Sequence, residues 1–212
     1  MKSSTYRILS EILNAITHGV ASLLSIVGLI FLLVKGAHIS PLHIIAYTLY
    51  GSTLILLFLS STLFHSLIFT KAKKILQIFD HSSIYLLIAG SYTPYCLLSI
   101  KGALGLILMI IIWLLAFLGV IYKSIALHKR AYVSKISTIL YIGMGWLCLI
   151  AIQPLLYSLG VKGVLLMLAG GVSYTLGAIF YTLKKIKFMH VIWHLFVILG
   201  ASFMFFSIFL TT

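Results

Sequence analysis

A chain of 212 residues with 62% apolar residues, 8% charged residues and a mean hydropathy of +1.22 has too little polar surface for a water-soluble domain. Its formal net charge of +13 would suit nucleic acid only if the basic residues shared one soluble face, but they lie between the apolar runs. The composition therefore indicates an integral membrane protein, and we expect no nucleic-acid partner.

The apolar runs between charge clusters predict seven membrane-spanning helices in one domain over residues 1–212. Crossing about 30 Å of hydrocarbon takes roughly 20 residues, and helices are favoured because lipid offers no partners for free backbone groups. The predicted spans cover residues 16–34, 42–67, 76–98, 103–122, 137–157, 162–183 and 188–210. We expect no cleaved signal peptide, because Glu11, Asn14 and His18 interrupt the first apolar run.

The lysines and arginines predict the orientation of the chain, because positive residues near span ends are retained in the cytoplasm. Twelve lie before the first span or after the second, fourth and sixth: Lys2, Arg7, Lys71, Lys73, Lys74, Lys123, Lys129, Arg130, Lys135, Lys184, Lys185 and Lys187. The other three follow the first, third and fifth spans: Lys35, Lys101 and Lys162. We therefore expect an N-terminus in the cytoplasm and a C-terminus outside.

The first polar cluster is "EILNAITHG", in which Glu11, Asn14 and His18 share one helix face. The cluster fits either helix capping and interfacial anchoring, or a lid or support over a functional site. In the second span, Ser61 lies one turn before His65 on the same face. This pair fits either a functional site or hydrogen bonding between helices.

The third span begins near Asp80, one of only two acidic residues, and contains Pro94, which predicts a kink. An ion pair with Lys73 or Lys74 would explain Asp80 without a functional site. Cys96 and Cys148 lie within apolar runs without metal-ligand spacing, so we interpret them as small buried residues.

The seventh span begins with "HVIWH", which places His190 and His194 four residues apart on one helix face. The predicted topology brings this pair to the same membrane depth as His65 and Asp80. Three histidines from two helices are typical of a catalytic zinc site with an open position, although pairing with backbone carbonyls is an alternative. Asp80 could accept a proton from metal-bound water or bind the metal directly.

The segments "EILNAITHGVASLLS", "SSTLFHS", "FDHSSIYLLIAGSYTPY" and "HVIWHLFVILGAS" together resemble the hemolysin III family of bacterial membrane proteins, relatives of the progestin and adiponectin receptors. The resemblance spans nearly the whole chain and implies a seven-helix bundle with its N-terminus inside. It implies Zn²⁺ bound by His65, His190 and His194, with Asp80 on the zinc-bound water and Ser61 supporting the site. Met204 stands where relatives often have a further histidine.

The resemblance to ceramidases within this group implies a zinc-dependent hydrolase of lipid amides that works among membrane lipids of the bacterial cytoplasmic (inner) membrane. Two other functions remain open at this point. One is a pore-forming cytolytic protein, which the family name suggests, and the other is a sensor or regulator of membrane state with structural zinc. The predicted orientation is opposite to that of familiar seven-helix receptors, so no G protein partner is expected.

Overall fold

The computed structural model describes residues 4–129, 135–182 and 187–212, and within these ranges the chain is helical with no β-strand. The helices are α1 (Ser4–Ala37), α2 (Pro41–Ser66), α3 (Lys73–Pro94), α4 (Ala103–Lys129), α5 (Lys135–Trp146), α6 (Ile152–Thr182) and α7 (Met189–Thr211). A π-helical turn, Tyr95–Ser99, follows α3, and a 3₁₀ segment, Leu147–Ala151, joins α5 to α6.

The outer surface of the bundle is apolar enough to face lipid. Five described helical segments are long and apolar enough to cross a bilayer: Thr5–Ala37, Pro41–Ser66, Ala103–Leu127, Ile136–Thr182 and Met189–Thr211. Their outward-facing side chains are mostly apolar, as at Leu23, Leu118 and Ile139. Such a surface is stable against hydrocarbon, so the chain is an integral membrane protein.

Two boundaries differ from the sequence prediction. Helix α1 begins at Ser4 rather than at residue 16, because the polar face with Glu11 and His18 packs against other helices instead of ending the helix. The predicted gap at residues 158–161 is mostly helical, and only Gly160 leaves helical geometry, at φ 66° and ψ 175°. Glycine reaches this φ without a steric penalty, which allows a sharp change of direction there.

The first and last helices are joined at both ends. Helix α1 packs against α2 and α7. At one end, the Phe188 backbone N–H donates to the Tyr6 hydroxyl at 2.7 Å. At the other, Lys35 Nζ donates to the carbonyl oxygens of Phe209 (2.7 Å) and Thr212 (3.0 Å), where the positive charge also suits the C-terminus of α7. The Phe188–Tyr6 contact fixes the start of α7, which carries the histidine pair, and the Lys35 contacts fix its end.

The predicted distortion at Pro94 occurs where α3 changes to the π-helical turn at Tyr95. Proline has no N–H to donate, so the regular α-helical hydrogen bonding is interrupted at this position. The thiols of Cys96 and Cys148 are both free, and Cys96 lies within the buried apolar core.

Packing of α3 against α4 depends on Gly119. A Cβ atom built at this position would overlap ring carbons of Tyr85, whose side chain is completely buried. We expect Gly119→Ala to destabilise the bundle by about 1–3 kcal/mol, the usual cost of overpacking a core. Thermal unfolding in detergent measures this loss.

The matched control is Gly143→Ala on α5, where an added Cβ would meet no atom within 4 Å. This change should be neutral or slightly stabilising, because alanine is the better helix former. Equal melting temperatures for the two variants would contradict the role of Gly119.

Candidate metal centre

Three histidines meet at the end of the bundle where α1 begins. His65 comes from the last turn of α2, and His190 and His194 come from the first turns of α7. The Nε2 atoms of His65 and His190 are 3.2 Å apart, and one nitrogen of each of the three rings lies within 4.8 Å of the others. His65 and His194 are buried and His190 is partly buried. The cluster could hold a metal ion.

Helix α1 supplies partners for the remaining nitrogens of two of these rings. His65 Nδ1 lies 2.6 Å from Glu11 Oε2, and His194 Nδ1 lies 3.4 Å from Thr17 Oγ1. A histidine that donates Nδ1–H to a carboxylate keeps the lone pair of Nε2 for an ion. The Glu11 contact therefore orients His65 Nε2 toward the cluster.

Asp80 and Ser61 lie beside the three histidines rather than among them. Asp80 is 4% exposed and within electrostatic range of His65 and Lys123. Ser61 is 1% exposed, and its hydroxyl lies close to the Asp80 carboxylate. The salt bridge found among the described residues joins His65 to Glu11 and does not involve Asp80.

A cavity of about 140 Å³ adjoins this group of residues. Three ionisable residues, His18, Asp80 and His81, are among its lining residues, together with a few hydroxyl groups such as those of Ser91 and Thr138. Most of the other lining residues are aromatic, aliphatic or small, among them Leu57, Ile84, Trp146, Val197 and Met204. A mostly apolar cavity with a few convergent polar groups is typical of a binding site for an amphiphilic molecule.

Two buried residues here had not been placed at the site by sequence reasoning. Lys123 was counted in the sequence among the basic residues that follow the fourth span. In the structure it is 1% exposed, and its ammonium donates to Ser137 Oγ at 3.2 Å. His18, left open between anchoring and support, stacks on His194 with ring centroids 3.5 Å apart. The signal for Lys123 was its position six residues before Lys129, nearly two turns deeper in α4.

Sequence comparisons identify the relatives of this chain. The model of a family described as "Haemolysin-III related" matches residues 6–205. The chain is 48% identical to "Hemolysin-3 homolog" of Bacillus subtilis (strain 168), over 96% of this chain and 94% of that protein. It is 46% identical to "Hemolysin-3" of Bacillus cereus, over 98% of this chain and 94% of that protein.

A more distant similarity extends to an animal protein. The chain is 31% identical to human "Monocyte to macrophage differentiation factor", over 76% of this chain and 67% of that protein. The family match and the two Bacillus relatives cover nearly the whole sequence. This chain belongs to the haemolysin-III related family of membrane proteins.

Proposed function

We propose that this protein is a zinc-dependent hydrolase of lipid amides in the cytoplasmic membrane of a bacterium. The observation that carries the proposal is a three-histidine cluster whose neighbours, the buried carboxylate Asp80 and the ring of His18, line a mostly apolar cavity. In this proposal the histidines bind the metal, Asp80 accepts and donates protons, and the cavity holds an acyl chain.

The proposed topology has seven spans in a single domain, with the N-terminus in the cytoplasm. In this proposal α3 is a span of its own, although it is not among the five segments selected by length and hydropathy, and Gly160, which leaves helical geometry, divides the segment Ile136–Thr182 into two spans. The alternation of basic residues along the sequence supports the orientation. Of these residues, Lys2, Arg130, Lys184 and Lys185 lie outside the described ranges. In this topology, the histidine cluster lies near the cytoplasmic face.

The donor set fits zinc. Zinc accepts neutral imidazole nitrogens, and its catalytic sites keep three protein ligands and one open position. Neither Cys96 nor Cys148 belongs to the cluster, so the donors include no thiolate. Bound zinc would supply a Lewis acid that activates water and polarises an amide carbonyl.

The chain's own residues provide the remaining requirements of amide hydrolysis. Glu11 holds His65 in the orientation that binds the ion. In the proposed reaction Asp80 accepts a proton from the attacking water and passes it to the leaving nitrogen. The apolar walls exclude bulk water and hold the acyl chain, which enters from the bilayer between helices.

The name of the Bacillus cereus relative, "Hemolysin-3", raises pore formation as a second candidate. A water-filled pore needs polar residues along several spans. In this bundle the ionisable residues Glu11, His65, Asp80 and Lys123 gather at one end, which favours an enzyme site. A regulator in which zinc is structural would have the same metal site but would hydrolyse no substrate.

Purified, detergent-solubilised protein is expected to contain about one zinc per chain. His65→Ala, His190→Ala and the double variant His190→Ala/His194→Ala should lose it, because two imidazoles or fewer hold zinc weakly. Elemental analysis by mass spectrometry measures the ratio. His38→Ala, at an exposed histidine between α1 and α2, is the matched control and should retain the metal. Folded wild-type protein without metal after zinc supplementation would contradict the proposal.

Glu11→Gln should lower zinc affinity by about 10- to 100-fold, because a neutral amide orients His65 less firmly than a carboxylate does. Competition with a chromogenic chelator measures the change. Arg7→Gln, at an exposed residue one turn earlier in α1, is the control for loss of a charge and should leave zinc affinity unchanged. An unchanged affinity in Glu11→Gln would show that the contact does not support the metal.

Asp80→Asn should retain zinc and lose hydrolysis of a lipid amide by about 10²- to 10⁴-fold, the range for removal of a general base. Release of fatty acid from a long-chain ceramide in mixed micelles measures the rate. Full activity in this variant would exclude Asp80 as the base. Dye release from liposomes by a wild-type protein that hydrolyses no amide would favour the pore-forming candidate.

A further inference from the structure

His18 places two unsatisfied nitrogens inside the bundle. Its side chain is 1% exposed, and neither Nδ1 nor Nε2 has a hydrogen-bond partner within the described parts of the chain. A buried polar group without a partner costs free energy in an apolar environment. Such a group is a candidate for direct contact with a bound molecule.

Three aromatic side chains hold the His18 ring in place. It stacks on His194 at 3.5 Å between ring centroids and 9° between planes. It meets Phe58 edge to face, with a centroid distance of 5.0 Å and an angle of 77°, and the Trp193 ring centroid lies 6.3 Å away. The ring therefore has little freedom to turn its nitrogens toward another partner.

The same stacking excludes His18 from the metal-binding set. A ligating imidazole holds zinc close to the plane of its ring, about 2.0–2.1 Å from the nitrogen. Two nearly parallel rings stacked at 3.5 Å have no position for an ion that lies in both planes. Because His194 belongs to the three-histidine cluster, the nitrogens of His18 remain available for another role.

The position of His18 in the cavity indicates this role. His18 is one of three ionisable residues in the cavity lining, with Asp80 and His81, and most of the other lining residues are apolar or carry a single hydroxyl group. An amphiphile in the cavity must bring its polar group to one of these polar side chains, since apolar walls satisfy no hydrogen bond. Within the described ranges, His18 alone among the three lacks a partner for both of its ring nitrogens while it stacks on a clustered histidine.

We propose that His18 is a substrate-positioning residue that hydrogen-bonds the amide group of the bound lipid and thereby distinguishes an amide from a plain hydrocarbon chain. This inference rests on the proposed lipid-amide hydrolase. One neutral imidazole has one donor and one acceptor, which match the C=O and N–H of an amide. A site built to pair with a polar group discriminates strongly against a molecule that lacks it.

The test compares binding of two probes, 9,10-dibromostearamide and 9,10-dibromooctadecane, to zinc-loaded full-length protein in detergent. Bromine on the chain quenches nearby tryptophan fluorescence, and Trp146 and Trp193 both line the cavity. His18→Phe keeps an aromatic ring to stack on His194 and removes both nitrogens. We expect its affinity for the amide to fall about tenfold, the usual effect of one lost hydrogen bond, with affinity for the alkane unchanged.

Two further variants separate hydrogen bonding from packing. His18→Gln retains a donor and an acceptor and should recover part of the preference for the amide. Met204→Leu changes the cavity wall about 15 Å along α7 from His194 and should alter the affinities for both probes alike.

Each outcome decides the inference. Equal preference for the amide in wild type and His18→Phe would overturn the role of His18 and leave the hydrolase proposal standing. A wild-type protein that binds both probes equally, or neither, would overturn both. Loss of zinc in His18→Phe would make His18 a support of the metal site and overturn its assignment to the substrate.

Discussion

Inside this bundle every ionisable side chain needs a polar partner, because neither the lipid nor the apolar core provides one. Both acidic residues of the chain, Glu11 and Asp80, lie at the same end of the bundle, and Glu11 contacts His65 directly. Lys123, almost fully buried, lies within electrostatic range of Asp80. Because these ionisable side chains serve as partners for one another, the adjoining ends of α1, α2, α3 and α4 lie together. Among the described residues, both side-chain carboxylates of the chain are in this part of the bundle.

The sequence predicted the elements whose residues follow helical periodicity. The spacing of His190 and His194, and the alternation of span directions that brings His65 beside them, depend only on local geometry and chain order. The contact of Glu11 with His65 was not predictable, because it depends on how far α1 extends beyond its apolar run and how it packs on α2. Lys123 was missed for a related reason: counting charges near span ends does not show which of them face inward.

Helix α1 has the least conventional role in the site. It provides none of the three clustered imidazoles, yet Glu11 and Thr17 contact His65 and His194, and His18 stacks on His194. One helix face thus controls the orientation of donors that belong to two other helices. The shared helix face of Glu11 and His18 was visible in the sequence, but polar residues near a membrane surface also serve as interfacial anchors, so the pattern alone could not assign this role.

The clustered histidines are widely separated along the chain: His65 and His190 are 125 positions apart. During synthesis, α2 leaves the ribosome long before α7, so the cluster can form only after the last helix has entered the membrane. An incompletely inserted chain has His65 without its partners. A chain that ended before α7 would lack two of the three clustered imidazoles together with the contacts that α7 makes with α1 and α6.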